Sequence, residues 1–256
     1  MTRSITSSAY SSLIRRTADK LDTALPAKFD AALDEARAIR EATDRIEGSA
    51  VAVNAHIITC LRNGKDWRTD TELQALMFER VAAANGIRQA GIDAAEDMVT
   101  TAVAQHADAI IGAWANSLEP DTAALAEAAE KITIADLAAA DVPDLSRRKL
   151  VAVWAKARTA VERFKIAIEG WRIVATATAL PRSSDHELFA LTDTAPDGVT
   201  LGRDIDVWAL ARAGAPLSLA TPSEYHQRVH RHEAMLCEQQ LAADEQREHD
   251  RKAALR

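Results

Sequence analysis

The chain has 256 residues, of which 27% are charged and 48% hydrophobic, and its formal net charge is -7. A chain of this length can bury a substantial core without disulfides or metals. Its acidic balance argues against general coating of nucleic acid, which requires an excess of cations. It also lacks the run of about 18 apolar residues that predicts a membrane span.

Alanine is unusually frequent, with 54 residues, whereas glycine and proline number only 9 and 7. Alanine loses no side-chain entropy in a helix, and few residues are present to break one. The composition therefore predicts an all-α fold, a multi-helix bundle with long helices. We expect a helical bundle over 1–180, an extended arm over 181–220 and a polar C-terminal helix over 221–256.

Two helices are predicted at the N-terminus. The first covers about 8–25 and ends or kinks at Pro26, because proline interrupts the hydrogen bonding of a helix. The second is acidic and reaches about residue 46, after which Gly48 is a suitable C-cap. Residues 49–61 fit either a buried helix or a strand, and their alanines together with the absence of a neighbouring strand favour the helix.

Further helices are predicted in the middle of the chain. Asp70 or Thr69 can cap one of them. Asn85 and Gly86 form a turn signal, which leaves open whether that helix breaks there. A long apolar face then runs to Pro120. Short helices follow over 122–131 and 133–140.

A heptad pattern predicts the central helix, over 144–180 with Asp144 as its N-cap. Its apolar residues recur at alternating spacings of four and three from Leu150 to Thr178. With Trp154 at heptad position a, positions a, d and g are nearly all apolar. This stripe is wide for a two-stranded coiled coil and favours the central helix of an intramolecular bundle.

The predicted central helix carries a basic flank. Residues 144–180 contain eight Lys and Arg against three Asp and Glu, and Arg158, Lys165 and Arg172 lie on one side. Two explanations stay open: pairing with acidic helices of the same bundle, or docking of an acidic protein or nucleic acid. The negative net charge does not favour nucleic acid.

The pattern changes beyond residue 180. The stretch Leu188–Leu191, a turn at Ala195–Gly198 and the stretch Val199–Leu201 predict a small hairpin or an extended arm. A short helix is expected over about 205–213. These segments are too short to form a core of their own, so we expect the arm to reach neighbouring molecules.

The last helix has a specific start signal. Thr221, Pro222 and Glu224 are a capping threonine, a proline at the first helical position and the reciprocal glutamate. The helix that follows is mostly polar, and its apolar residues form only a poor seam. We expect it to project from the body or to lie on another subunit, with Tyr225, Val229 and Leu236 as interaction residues.

Metal-binding patterns in the chain are incomplete. On the last helix, His226, His230, Glu233 and Cys237 fall on one face, and histidines four apart can share a transition metal. A polar helix produces such coincidences readily, and the adjacent arginines oppose a cation. We therefore predict no metal and no cofactor.

A partial calcium-loop pattern also occurs, but its third position is an alanine and its flanks are not helical. The matching residues are Asp193, Asp197, Gly198 and Asp204.

The remaining reactive residues do not predict catalysis. His56 and His106 lie in apolar stretches that are predicted to be helical, which is typical of core or helix-surface positions. Cys60 and Cys237 show no CxxC or Cys–His spacing, which predicts reduced thiols. No phosphate-binding loop, dinucleotide fingerprint or nucleophile elbow is present. We predict that the protein is not an enzyme.

These patterns favour a non-enzymatic helical structural or assembly protein, such as a component of a phage or other bacterial particle. It would form a homo-oligomer or assemble with partner proteins, in the cytoplasm or in a particle made there, without contacting a membrane. Deletion of 221–256 is expected to leave the bundle folded and abolish assembly. The alternative is a bacterial adaptor or regulatory protein that binds an acidic partner or nucleic acid through the basic flank.

Overall fold

The computed structural model describes residues 7–139, 142–180, 186–194 and 205–254. Within these ranges the backbone forms nine α-helices and no strand, which confirms the predicted all-α bundle. None of these helices combines the length and apolar character that a bilayer crossing needs. The helices are α1 (Ser7–Leu21), α2 (Ala27–Asp44), α3 (Ala50–Arg62), α4 (Thr71–Ala84), α5 (Ile87–Lys131), α6 (Val142–Arg147), α7 (Val151–Ala177), α8 (Val207–Arg212) and α9 (Pro222–Ala254).

The chain divides into two compact units. The first contains residues up to Ser11 together with Ala27–Ala104, and the second contains Ser12–Pro26 and the chain from Gln105 onward. Helices α1 and α5 therefore contribute residues to both units. The predicted division at residues 180 and 220 rests on changes in composition and stays a prediction.

Local capping signals define the helices of the first unit. The Ser49 side chain accepts a hydrogen bond from the Ala52 amide at 3.2 Å and starts α3, so the choice of a helix for 49–61 is confirmed. Asp70 caps α4 in the same way. Gly86 has φ +73°, a conformation that favours glycine, and the chain breaks there between α4 and α5.

Helix α7 supplies the centre of the second unit. Heptad positions d and g are buried along three successive heptads, as the wide apolar stripe predicts. Trp154 lies at the edge of this stripe, and its indole N–H donates to the Leu137 carbonyl at 2.9 Å. The buried d and g residues are Ala157, Ala160, Phe164, Ala167, Trp171 and Val174.

A glycine allows α7 to approach its neighbours closely. A Cβ at Gly170 would lie 2.5 Å from Thr17 Cγ2 of α1 and 2.8 Å from Trp114 Cζ3 of α5. Both distances are shorter than a van der Waals contact between carbon atoms, about 3.5 Å or more. Glycine is therefore required where these three helices meet.

The prediction of a single helix over 144–180 is wrong. Asp144 lies inside the short helix α6, and α7 begins only at Val151. Between them Lys149 has φ +59°, and the Leu150 amide donates to the Leu145 carbonyl at 2.8 Å. This six-residue closure ends α6 as a Schellman motif does, without the usual glycine.

The predicted end of a helix at Pro120 is also wrong, because α5 continues to Lys131. Proline removes one backbone donor from the helix interior. Arg163 of α7 compensates beside it. Its Nε donates to Asp121 Oδ2 at 2.8 Å, and its Nη2 donates to the Ser117 carbonyl at 3.3 Å. One guanidinium thus binds the Ser117 backbone before the proline and the Asp121 side chain after it.

The N-terminal helix ends earlier than predicted. Helix α1 stops at Leu21, Asp22 has φ +55°, and the Thr23 amide donates to the Ala18 carbonyl at 2.9 Å. Arg163 Nη2 also donates to the Leu21 carbonyl, at 3.2 Å. These bonds satisfy carbonyl groups that a helix end leaves without intrahelical partners.

Two short segments differ from their predictions. The helix expected over 133–140 is reduced to a single 3₁₀ turn, Leu137–Ala139. The first predicted hairpin strand instead lies in a buried 3₁₀ turn, Glu187–Ala190. The Ser218 amide donates to the Leu191 carbonyl at 2.7 Å, so this part of the expected arm belongs to the core. The remainder of the hairpin, Ala195–Leu201, lies outside the described residues.

The start of α9 is confirmed. The Thr221 amide donates to Glu224 Oε2 at 2.9 Å, and the Glu224 amide donates to Thr221 Oγ1 at 3.2 Å. Tyr225 is buried, with its ring centroid 5.0 Å from that of Trp171. The first turns of α9 are therefore anchored in the second unit.

A buried cation strengthens this anchor. Arg228 donates to the Phe189 carbonyl at 3.3 Å, to the Ser218 carbonyl at 3.1 Å and to Ser218 Oγ at 2.8 Å. Burial lowers the pKa of its guanidinium, because desolvation disfavours the charged form. These acceptors satisfy the polar hydrogens that the charge brings into the core.

Replacement of Gly170 by alanine should destabilise the protein by about 1–3 kcal/mol, because an overpacked core must shift to admit the methyl group. The matched control is Gly112→Ala in α5, where an added Cβ meets nothing within 4 Å. That substitution should stabilise by about 0.5–1 kcal/mol, since alanine is the better helix former. Urea unfolding of both variants provides the measurement, and equal effects would contradict the close approach at Gly170.

Candidate interaction surfaces and the His–Cys–Asp cluster

Helix α3 carries no charged side chain from Ala50 to Leu61, and its polar residues there are Asn54, His56 and Thr59. Only Val53 and Cys60 are buried. On the other side of the helix, Val51, Ile58 and Leu61 are 77%, 49% and 60% exposed. Large apolar side chains exposed together are typical of a surface that a partner covers, so this outer face is suited to a protein partner.

Helix α4, which packs on α3, adds further exposed apolar side chains. Phe78 is 75% exposed and Val81 is 55% exposed. These two helices carry six of the eleven exposed large hydrophobic side chains of the described chain. Such a concentration marks an interaction surface more than scattered surface residues do. We call Val51, Ile58, Leu61, Met77, Phe78 and Val81 the hairpin apolar residues.

A cluster of titratable side chains lies between the same two helices. His56 Nε2 is 3.0 Å from Asp70 Oδ1, and the Cys60 thiol donates to Asp70 Oδ2 at 3.7 Å. The potential ligand atoms of these three residues lie within 4.8 Å of one another, and no other described residues form such a group. We call these residues the His–Cys–Asp cluster.

The surroundings of the cluster shift the pKa values of the Asp70 carboxyl and the Cys60 thiol in opposite directions. The Leu73 amide donates to Asp70 Oδ1 at 2.9 Å, and this bond is the largest cause of the lowered pKa of the Asp70 carboxyl. Burial, followed by the charge of Asp70, raises the pKa of the Cys60 thiol. The cluster therefore holds an ionised carboxylate beside a protonated thiol at neutral pH.

The order of the cluster differs from that of a nucleophilic triad. In a triad the imidazole lies between the nucleophile and the carboxylate and removes the proton of the nucleophile. Here Asp70 lies between His56 and Cys60, and it raises the pKa of the thiol. A cysteine nucleophile requires a lowered thiol pKa, so the geometry favours ligation over nucleophilic catalysis.

The sequence analysis missed this cluster. His56 precedes Cys60 by four residues, a Cys–His spacing that places both side chains on one side of a helix. That spacing was the available signal. The contribution of Asp70 depends on how the α3–α4 turn folds back, which residue spacing alone does not reveal.

The predicted basic flank is largely engaged within its own unit. Arg172 donates to Glu187 at 2.5 Å, and Lys165 donates to Glu162 one turn earlier on α7 at 2.9 Å. Arg158 lies over the Trp154 ring, 5.1 Å from its centroid. These contacts are intramolecular, but none of the three is with a neighbouring acidic helix, so both explanations of the basic flank stay predictions.

A groove beside α7 is not cationic. It has a volume of about 350 Å³ and is lined by Arg158 and Lys165 together with Asp136, Glu162 and Asp206. The two positive charges are balanced by three carboxylates on the same lining. A groove of this composition has no electrostatic preference for an acidic partner or for phosphate.

The predicted interaction residues on α9 have different environments. Tyr225 is 2% exposed, Val229 is half-buried and Leu236 is 47% exposed. The last close aromatic contact of α9 with the unit is made by His232, whose ring centroid lies 4.7 Å from that of Phe189. Residues 233–247 are all exposed, so α9 projects from this point, as expected.

The metal candidates of the sequence analysis lie on α9 but do not come together. His226, His230, Glu233 and Cys237 are exposed, and they do not form one of the ligand groups found among the described residues. Of the calcium-loop residues, only Asp193 is described. The other members of that loop pattern, Asp197, Gly198 and Asp204, lie outside the described residues.

Comparisons with protein-family models, with curated proteins and with solved structures find no match. Function must therefore be argued from the surfaces and the cluster of this chain alone.

The depth at which α9 is anchored predicts two different truncation outcomes. Removal of 221–256 takes away the buried Tyr225 and Arg228, so we expect this shorter chain to lose its cooperative thermal transition. This revises the expectation that the bundle folds without those residues. Removal of 233–256 spares both anchors and should leave the transition in place. Circular dichroism melting distinguishes the two, and cooperative melting of both chains would contradict this account of the anchor.

The two cysteines should differ in reactivity. Cys60 is buried and has a raised thiol pKa, whereas Cys237 is exposed. A disulfide reagent at neutral pH should therefore react rapidly with one thiol per native chain and with both after denaturation, because the thiolate is the reactive form. Cys237→Ser should abolish the rapid phase. Two rapid thiols in the native protein would show that Cys60 is accessible.

Proposed function

We propose that this protein is a non-enzymatic assembly component that associates with further copies of itself through the outer face of its α3–α4 hairpin. The observation that carries the proposal is that α3 has no charged side chain from Ala50 to Leu61 while its large apolar residues Val51, Ile58 and Leu61 are exposed. Covering these side chains removes apolar surface from water, which stabilises association by roughly 25 cal/mol per Å² before the entropic costs.

The exposed half of α9 supports the same proposal. A helix without tertiary contacts is marginally stable in water, because most helical stability in proteins comes from packing. Residues 233–247 are exposed throughout, and they include Met235, Leu236 and Leu241 at 47%, 47% and 60% exposure. Contact with another chain would supply the packing that this part of α9 lacks. A particle component needs a second contact of this kind to extend an assembly beyond a closed pair.

The alternative of an adaptor that binds through the basic flank has less support. Arg172 is paired with the buried Glu187, and the groove beside Arg158 and Lys165 carries more carboxylates than cations. We therefore place the function on the apolar surfaces.

A charge placed on the outer face of α3 should prevent assembly. We expect the purified wild-type chain to show a mass that is a multiple of 27.7 kDa by light scattering. The double substitution Val51→Glu and Ile58→Glu should reduce that mass to a single chain, because burying two unpaired carboxylates in an apolar interface is strongly unfavourable. Both residues are exposed, so the helical circular dichroism signal should be unchanged.

The matched control is Thr100→Glu, which places the same charge at an exposed position of α5 in the same unit. Its mass should equal that of the wild type. A wild-type chain that remains at 27.7 kDa over the concentration range, or a double variant with undiminished mass, would contradict self-association through α3.

A further inference from the structure

The His–Cys–Asp cluster has the composition of a transition-metal site. Zinc in proteins is bound by imidazole nitrogen, thiolate sulfur and carboxylate oxygen, and the cluster provides one of each. Mixed nitrogen and sulfur ligands select zinc over magnesium or calcium, which prefer oxygen. We propose that His56, Cys60 and Asp70 bind one Zn²⁺ ion that joins α3 to the start of α4.

The distances fit tetrahedral coordination. From the usual zinc bond lengths, two ligand atoms at tetrahedral angles are separated by about 3.3 Å for nitrogen and oxygen and about 3.5 Å for sulfur and oxygen. Cys60 Sγ lies 3.7 Å from Asp70 Oδ2, the proposed ligand oxygen, and His56 Nε2 lies 3.0 Å from Oδ1 of the same carboxylate. One potential ligand atom from each of the three residues lies within 4.8 Å of the others, so the side chains would draw together around the ion to complete the site.

The two carboxylate oxygens of Asp70 have separate tasks. Oδ1 accepts the hydrogen bond from the Leu73 amide that caps α4. Oδ2 accepts from the Cys60 thiol and is released when that thiol loses its proton. Metal binding breaks the S–H bond, forms an S–Zn bond and transfers one proton to solvent. Asp70 can therefore bind zinc through Oδ2 and still cap the helix.

The neighbours of the cluster suit a bound cation. Glu72 Oε1 lies 3.9 Å from His56 Nδ1, on the imidazole nitrogen that would not bind the metal. A carboxylate hydrogen-bonded to this nitrogen orients a ligating histidine and raises its basicity, and Glu72 would have to move closer to His56 to form that bond. The positive charge of Lys65 lowers the pKa of the Cys60 thiol and would repel a metal ion. The two carboxylates, together with the thiolate formed on binding, carry more negative charge than this one cation carries positive charge.

The site keeps one position open to solvent. Cys60 is 2% exposed, whereas the side chains of His56 and Asp70 are 18% and 20% exposed. A zinc ion can thus enter from the side of His56 and Asp70, where water completes four-coordination. The ion would crosslink α3 and α4, which bury only Val53, Cys60 and Leu73, and a metal crosslink compensates for a small core. Three protein ligands with an open fourth position differ from the closed four-ligand sites of most structural zinc ions.

The test is metal analysis of the full chain after incubation with zinc and removal of the excess by gel filtration. We expect one zinc per chain and a higher thermal midpoint than in the metal-free protein, because the ion binds only the folded state. With Co²⁺ in place of Zn²⁺, a thiolate-to-metal absorption band should appear. Binding at mildly alkaline pH should release one proton, that of the Cys60 thiol.

Three substitutions should abolish stoichiometric metal: His56→Gln, Cys60→Ser and Asp70→Asn. Asparagine caps a helix as well as aspartate does, so Asp70→Asn removes the ligand while keeping the bond to the Leu73 amide. Glu72→Gln touches no core residue and should weaken binding roughly tenfold. This variant keeps the test decisive if a ligand variant fails to fold.

The matched controls are Cys237→Ser and His226→Gln on α9, which change the same residue types at exposed positions. Both should retain one zinc per chain. Absence of stoichiometric zinc in the wild type would overturn the proposal. So would zinc that persists in Cys60→Ser and Asp70→Asn but is lost in the α9 controls. These outcomes do not depend on self-association, so the metal site and the assembly surface are tested separately.

Discussion

The close approach of α1, α5 and α7 at Gly170 is the constraint on which the second unit depends. No side chain fits between that glycine, Thr17 and the Trp114 ring, and Ala157, Ala160 and Ala167 continue the same small-residue stripe at full burial. Close-packed interiors transmit a local shift to their neighbours. The next residue, Trp171, contacts Tyr225 of α9. The anchoring of α9 therefore depends on Gly170, which lies more than 50 residues earlier in the chain.

Much of this fold could be predicted because its signals are local. The capping box of α9, the Asp70 cap and the apolar stripe of α7 each follow from residues within a few turns. The wrong predictions occur where contacts between residues far apart in the sequence override local propensity. Helix α5 passes through Pro120 with the support of Arg163, and α6 ends at a lysine in the left-handed region. Propensity alone favours the opposite outcome in both places.

The candidate sites were harder to predict for a related reason. An apolar helix has the same sequence pattern whether its outer face is enclosed or exposed, so the hairpin apolar residues could not be distinguished from core. His56 and Cys60 share a helix side, but their ligand geometry requires Asp70 from the next helix. Tyr225 was assigned to an interface because its neighbours are polar, although its ring packs against Trp171 within the chain.

The two units differ in how their helices are packed. The second unit buries Arg228 and the Trp171 indole with hydrogen-bond acceptors for both, although the Trp114 indole nitrogen is buried there without a hydrogen-bond partner. In the first unit, α3 and α4 bury three side chains and expose six large apolar ones. Functional surfaces are drawn from such weakly stabilised segments. A partner on the outer face of α3 and a metal on its inner face would each stabilise this weakly packed hairpin. Because each binds the folded hairpin, each would add to its stability independently of the other.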